Sequence, residues 1–94
     1  MDNKLINIGF GNFVSASRVL TLIQPDSAPV KRVISDARES AKLIDATFGR
    51  KTLTVIFCDT GHIVLSALAP ELIALRLSED NAELFGDDEE TANG

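Results

Sequence analysis

The stretch from Pro25 to Lys51, PDSAPVKRVISDARESAKLIDATFGRK, constrains the fold most, because it sets one long helical pattern between segments that alternate like strands. Asp26 and Ser27 can cap a helix, and Pro29 suits a first turn, where its missing N–H would be unpaired in any case. The helix is therefore expected from near Ala28 to Ala46. Val30, Val33, Ile34, Ala37, Ala41 and Ile44 return at helical spacing and cover an arc of roughly 100°. That arc is the expected buried face. Lys31, Arg38 and Lys42 form a strip beside it, while Arg32 projects near Asp36 and Glu39 and can pair with them along the helix. Gly49 is the expected left-handed stop, and it leaves Arg50-Lys51 as an exposed cationic pair.

On either side of this stretch the pattern is that of strands. Leu5, Ile6 and Ile8 begin a short one that ends at Gly9-Phe10-Gly11-Asn12, a turn that needs glycine's backbone freedom. Phe13 to Ala16 and Arg18 to Gln24 read as further strands. Thr52 to Phe57 and His62 to Leu68 flank Cys58-Asp59-Thr60-Gly61 and read as a β-hairpin. Pro70 and Glu71 suit the first turn of a last helix, running to about Ser78. On a helical wheel Leu72, Ile73, Leu75 and Leu77 point nearly all round, with Glu71 and Arg76 as the chief charges. A helix apolar on every side needs cover on more than one side. Leu72, Ile73 and Leu75 are thus candidate subunit-interface residues, and Leu43, outside the apolar arc of the long helix, is another. The fold class expected is a small single-domain α/β (α+β) protein: β-strands, a central amphipathic helix, a hairpin and a C-terminal helix.

The chain has 94 residues, 45% of them hydrophobic, enough for one small core that oligomerisation would reinforce. Its net charge of −5 is unevenly distributed. Residues 1–78 carry nine Lys/Arg against seven Asp/Glu, whereas residues 79–94 carry seven acids and no base. The body is mildly basic. The segment from 79 to 94 has the composition of a disordered acidic tail, either simply solubilising or folding back over the basic surface as a competitor for an anionic partner. No long apolar run and no signal-like start is present, so a soluble, cytoplasmic protein without a membrane partner is expected. A single cysteine is consistent with a reducing compartment.

Little enzyme chemistry is legible. Gly9-Phe10-Gly11 lacks the third glycine of a dinucleotide fingerprint and reads as a turn. Cys58, Asp59 and His62 offer one thiol, one carboxylate and one imidazole where a structural zinc site needs four ligands, and no oxyanion donors or orienting third residue complete Cys58 and His62 as nucleophile and base. No metal, cofactor, small-molecule substrate or enzymatic activity is expected. The cations carry more information. Arg18, the helix strip with Lys31, and the Arg50-Lys51 pair are suited to phosphates, and arginine can also grip a guanine edge with two donors. A body so weakly basic would hold nucleic acid loosely as a monomer, and repeated footholds in an oligomer would raise the affinity.

The segments INIGFGN, VSASRVL, PDSAPVKR, DARESAKLIDATFGRK and HIVLSALAPELIALRL together resemble the RemA family of bacterial regulators of extracellular-matrix genes, over about residues 4–78. The acidic tail lies outside the resemblance. It implies a homo-oligomeric, ring-forming DNA-binding regulator with a LytTR-like fold, acting on double-stranded DNA near biofilm-matrix and osmoprotection genes. It also implies DNA contact at Arg18, Lys31, Arg32, Arg50 and Lys51, and a functional role for Pro29. Where the family pattern reads Arg-Arg this chain has Arg50-Lys51, and Leu53 stands where another arginine is frequent. Lysine keeps the charge without the planar fork, and leucine removes it. The alternative from the residues alone is an oligomeric scaffold whose cations bind an acidic protein.

Overall fold

The computed structural model describes residues 4–78. A hairpin of β1 (Leu5–Asn7) and β2 (Phe13–Ser15) leads through a single 3₁₀ turn, Ala16–Arg18, into β3 (Val19–Ile23). Helix α1 (Ala28–Glu39) and strand β4 (Leu43–Asp45) follow, then β5 (Thr54–Cys58), β6 (Ile63–Ser66) and helix α2 (Pro70–Ser78). The larger sheet has the order β3-β5-β6-β4, antiparallel except for the parallel β4/β6 pair. β1 and β2 form a separate antiparallel pair in which Ile6 faces Val14. The mixed α+β class, the first hairpin, the second hairpin and the last helix follow the sequence pattern.

The central strands β5 and β6 separate two cores. Val55, Ile63 and Leu65 point to one face, where Ala37, Val30 and Ile34 of α1 cover them. Ile56 and Val64 point to the other, beneath Ile6 and Ile8, with Leu68 and Ile73 closing the layer. The period of two in these strands decides which residue serves which core. Two buried hydroxyls tie the second layer together. Ser66 Oγ donates to the Ile8 carbonyl at 2.9 Å and accepts from the Leu68 N–H at 3.0 Å, while Thr54 Oγ1 donates to the Leu68 carbonyl at 2.7 Å. Unpaired, such groups would each cost about 1–3 kcal/mol.

The long helix is shorter than its periodicity suggests. Ser27 Oγ accepts from the Val30 N–H at its start, as expected. At its end Ala41, not Gly49, takes the left-handed conformation, with φ 63°. The Lys42 N–H then donates back to the Ala37 carbonyl at 2.8 Å and the Ala41 N–H to Arg38, which is a Schellman closure. Lys42 returns its own carbonyl to the Ile63 N–H, and Leu43-Ile44-Asp45 gain a ladder along β6. Ala41 and Ile44 fit a helical arc by spacing alone, but the open edge of β6 recruits them as strand. The consequence inverts two side chains: Leu43 packs against the α1 core, and Ile44 is 50% exposed.

Helix α2 also departs from its wheel. Arg76 is not a surface charge but fully buried, with Nη1 donating to the Asn7 carbonyl at 2.8 Å. Ile73 is fully buried in this chain's own core, so it is covered without a second subunit; Leu72 is half-buried and Leu75 exposed. The tail segment 79–94 lies outside the described residues.

Candidate nucleic-acid interface

Two short turns meet at the end of the sheet where β4 and β6 finish and β5 begins. In the first, the Asn12 N–H donates to the Gly9 carbonyl at 3.1 Å, with Phe10 and Gly11 between them at φ 56° and 79°. In the second, the Arg50 N–H donates to the Thr47 carbonyl at 2.9 Å, with Phe48 and Gly49 between them at φ 57° and 81°. Both are turns with positive φ at the two central residues, and both place phenylalanine first and glycine second. Gly49 is thus left-handed as its sequence suggests, but in this loop rather than at a helix end.

The turns are braced from beneath. Asp45 accepts from Thr47 twice, from the N–H at 2.9 Å and from Oγ1 at 2.6 Å. Those two bonds hold the Asp45 carboxyl below its usual range, aided slightly by the Arg38 charge and opposed by burial. Asn12 Nδ2 donates to the Gly9 carbonyl at 3.1 Å and to the Ala46 carbonyl at 3.4 Å, joining one turn to the other. Above this base the Phe10 and Phe48 rings stack with centroids 5.6 Å apart and planes 18° apart. The Arg50 guanidinium carbon sits 5.3 Å from the Phe10 centroid. Lys51 is exposed beside it and lines a groove with Gln24, Pro25 and Asp26, the residues leading into α1.

This end of the domain therefore gathers Arg50 and Lys51 with the start of α1, which carries Lys31 and Arg32, both exposed. Arg32 lines a shallow groove with Ala28 and Pro29. Among the described residues no ion pair joins Arg32 to Asp36 or Glu39, contrary to the pairing that helical spacing suggests. The strip of Lys31, Arg38 and Lys42 is also broken, because α1 ends before Lys42. Leu53 occupies the groove beside Phe10, Arg50 and Lys51.

Arg18 stands apart. It lies next to Val19, which pairs with Cys58 at the far end of β5, and its Nη1 is 3.3 Å from Asp59 Oδ2. The five-residue β5 separates it from Lys51 by about 13 Å or more, at the usual rise per strand residue. One chain does not bring all five expected cations together. Near Arg18, burial and the Asp59 charge push the Cys58 thiol up, and His62 Nδ1 shares a 2.7 Å hydrogen bond with Thr60 Oγ1.

The sequence model of the family described as RemA-like, "Extracellular matrix regulatory protein A-like", matches residues 5–77. The chain belongs to the RemA-like family. It is 54% identical over 88 residues to a protein of Desulfitobacterium hafniense (strain Y51), covering 94% of this chain and 97% of that one. It is 62% identical over 76 residues to a protein of Acaryochloris marina (strain MBIC 11017), covering 81% and 86%. A Geobacillus protein (strain WCH70) is 56% identical over 85 residues, covering 88% and 98%. All three carry the name "Putative regulatory protein". A regulatory role follows for this RemA-like chain. Among the described residues, no helix is long and apolar enough to cross a membrane.

The phenylalanine pair is the part of this site that charge patterning misses. Its signal is the dipeptide Phe-Gly repeated in Gly9-Phe10-Gly11-Asn12 and Thr47-Phe48-Gly49-Arg50, two turn sequences with an aromatic where turns usually carry asparagine or glycine.

Proposed function

We propose that this RemA-like protein is a homo-oligomeric transcriptional regulator that binds double-stranded DNA, with targets among matrix or osmotic-stress genes. One observation carries the reading: Arg50 and Lys51 stand on a rigid, doubly braced turn at the same end of the domain as Lys31 and Arg32. Preorganised cations lose little freedom on meeting phosphate and lend themselves to sequence-independent backbone contact.

Oligomerisation enters because one chain splits its cations between two ends of the sheet. In an assembly, Arg18 of one copy and the Arg50-Lys51 turn of the next serve a single duplex, each foothold raising the effective concentration of the others. The apolar groove between β3 and α2, with exposed Leu20 on one wall and Ala74 and Leu77 on the other, supports a place for a second copy, and half-buried Leu72 and exposed Leu75 lie on the same helix. Leu43 and Ile73 serve the chain's own cores instead. The protein binds rather than catalyses in this reading. Cys58 is held as a neutral thiol, which makes it a poor nucleophile.

The test is a titration of the full chain with curved and straight duplexes at two salt concentrations, with light scattering for assembly size. Salt-sensitive binding by a multimer is expected, with preference for the curved duplex if the assembly favours bent DNA. A multimer without DNA affinity at low salt would leave the scaffold reading, in which the cations take an acidic protein partner.

A further inference from the structure

Phe48 is a costly residue where it stands. Its backbone occupies the left-handed region, which disfavours any side chain with a Cβ by roughly 1–2 kcal/mol and is ordinarily given to glycine, asparagine or aspartate in such turns. Core packing does not account for the choice, because Phe48 is 79% exposed. The same arrangement recurs at Phe10, whose ring is half-buried and lies directly behind. Two strained turns thus combine to hold one phenylalanine outward with a second as its backing. Beside Gly11 and Gly49 there is open space, and none of the described residues covers the outer ring, that of Phe48.

The surroundings state what kind of surface would. Arg50 lies against the inner ring and Lys51 follows it, so the exposed ring is flanked by positive charge rather than by an apolar field. A hydrophobic protein partner would have to bury those cations, whereas DNA meets both requirements, phosphates outside and apolar sugar and base faces within. Only one face and the edge of Phe48 are open, because Phe10 occupies the other face. That suits a wedge leaning on a base step more than a platform that sandwiches unstacked bases, for which successive open rings are needed.

We propose that the stacked Phe48–Phe10 pair is an apolar wedge, pressed from the minor-groove side against a deformable base step of double-stranded DNA while Arg50 and Lys51 hold the flanking phosphates. The inference rests on the DNA-binding reading and adds to it a means of reading shape. Pyrimidine–purine steps unstack most easily, so a wedge selects them without hydrogen-bonding to any base. The brace from Asp45 through Thr47 keeps the turn from yielding when the ring is pressed.

Phe48→Asn tests this, because asparagine suits the turn's backbone while lacking the ring. The full chain and the variant are titrated at two salt concentrations with duplexes that carry 2-aminopurine at a TA step or in a stiff A-tract. The expected result is that Phe48→Asn unfolds at the same or a higher temperature and keeps its salt dependence, yet binds the TA duplex about tenfold more weakly. It also loses the fluorescence rise that the parent gives on unstacking the step. Phe48→Leu, still apolar, is expected to retain part of that rise. Unchanged affinity and fluorescence in Phe48→Asn would overturn the wedge while leaving DNA binding standing. A smaller assembly with unaltered DNA distortion would overturn it too, assigning the pair to a contact between copies. Tighter binding of the parent to single-stranded than to duplex DNA would replace the wedge by a stacking platform, and no binding of the parent to any DNA would remove both readings.

Discussion

Arg18 and Asp59 are joined twice across the end of β3 and β5: side chain to side chain at 3.3 Å, and by the Asp59 N–H donating to the Arg18 carbonyl at 2.8 Å. The backbone bond belongs to the sheet edge and survives a change of side chain. The ion pair is open to water, its partners 62% and 36% exposed, and pairs of that kind contribute about 0–1 kcal/mol to stability.

Asp59→Asn should therefore leave thermal unfolding almost unchanged, within about 0.5 kcal/mol. Its effect should appear in DNA binding. Asp59 holds Arg18 and adds negative charge near it, so its neutralisation is expected to raise affinity at low salt and to lose that advantage at high salt. Anisotropy titrations of parent and variant at two ionic strengths check this, and equal affinities at both would place Arg18 outside the contact.

A left-handed alanine is an opportunity for stabilisation. Ala41 closes α1 at φ 63° with its side chain exposed, so a glycine there removes backbone strain without opening a cavity. Ala41→Gly is expected to stabilise the domain by about 0.5–1 kcal/mol after the greater freedom of glycine in the unfolded chain is set against it. Thermal unfolding should shift upward by about 4 °C, and a lower midpoint would show that the closure is not strained.

That same residue shows where the sequence misleads. Ala41 and Ile44 sit at helical spacing from Ala37, and nothing local to them says that the chain turns back at Ser40. The decision is made by the open edge of β6, a partner twenty residues further on, and the order of strands in the sheet is likewise non-local. The strands β5 and β6 were legible because alternation and the Asp59-Thr60-Gly61 turn are local signals. The burial of Arg76 is not legible on a wheel, which records polarity but not the Asn7 carbonyl that accepts its hydrogen bond. At the site, charge and glycine marked Arg50, Lys51 and the two turns, yet the contact of Phe10 with Phe48 brings together turns almost forty residues apart.

Cys58 should react slowly. Burial and the neighbouring Asp59 favour the neutral thiol, raising its pKa above the ordinary cysteine value. Alkylation by iodoacetamide at neutral pH is expected to be slower in the folded protein than after denaturation, with a pH–rate profile displaced to higher pH. The linkage has a matching sign. The preference for the neutral thiol is fully present below the unfolded pKa and is lost as pH rises through the folded one, so alkali should destabilise the parent more than Cys58→Ala.

Asp45 titrates in the opposite sense. Its pKa is lowered, first by the Thr47 hydroxyl and then by the Thr47 N–H, so its contribution is present above the unfolded value and fades as pH falls through the folded one. Asp45→Asn keeps an acceptor for Thr47 without the charge, and should flatten the acid side of the stability curve while changing little at neutral pH. Asp45→Ala removes the acceptor from a buried threonine and should cost about 1–2 kcal/mol at neutral pH. The two variants separate charge from acceptor by urea unfolding at pH 7 and pH 3.

The paired cations of the braced turn carry the most direct consequence for function. Lys51 is exposed without an ion pair among the described residues, and Arg50 contacts the Phe10 ring at 5.3 Å. Lys51→Ala should leave stability unaltered, whereas Arg50→Ala should lose about 0.5–1 kcal/mol of cation–π contact. In the proposed DNA contact the order of effects differs, since each would bring one positive charge to phosphate. Replacing the two together should weaken binding on every sequence alike and reduce the slope of log affinity against log salt by about 1.8 for each copy in contact. A double variant that kept its slope but lost preference for bent duplex would mean that these cations orient the protein rather than neutralise phosphate. A double variant indistinguishable from the parent would move the interface to Lys31 and Arg32 at the start of α1.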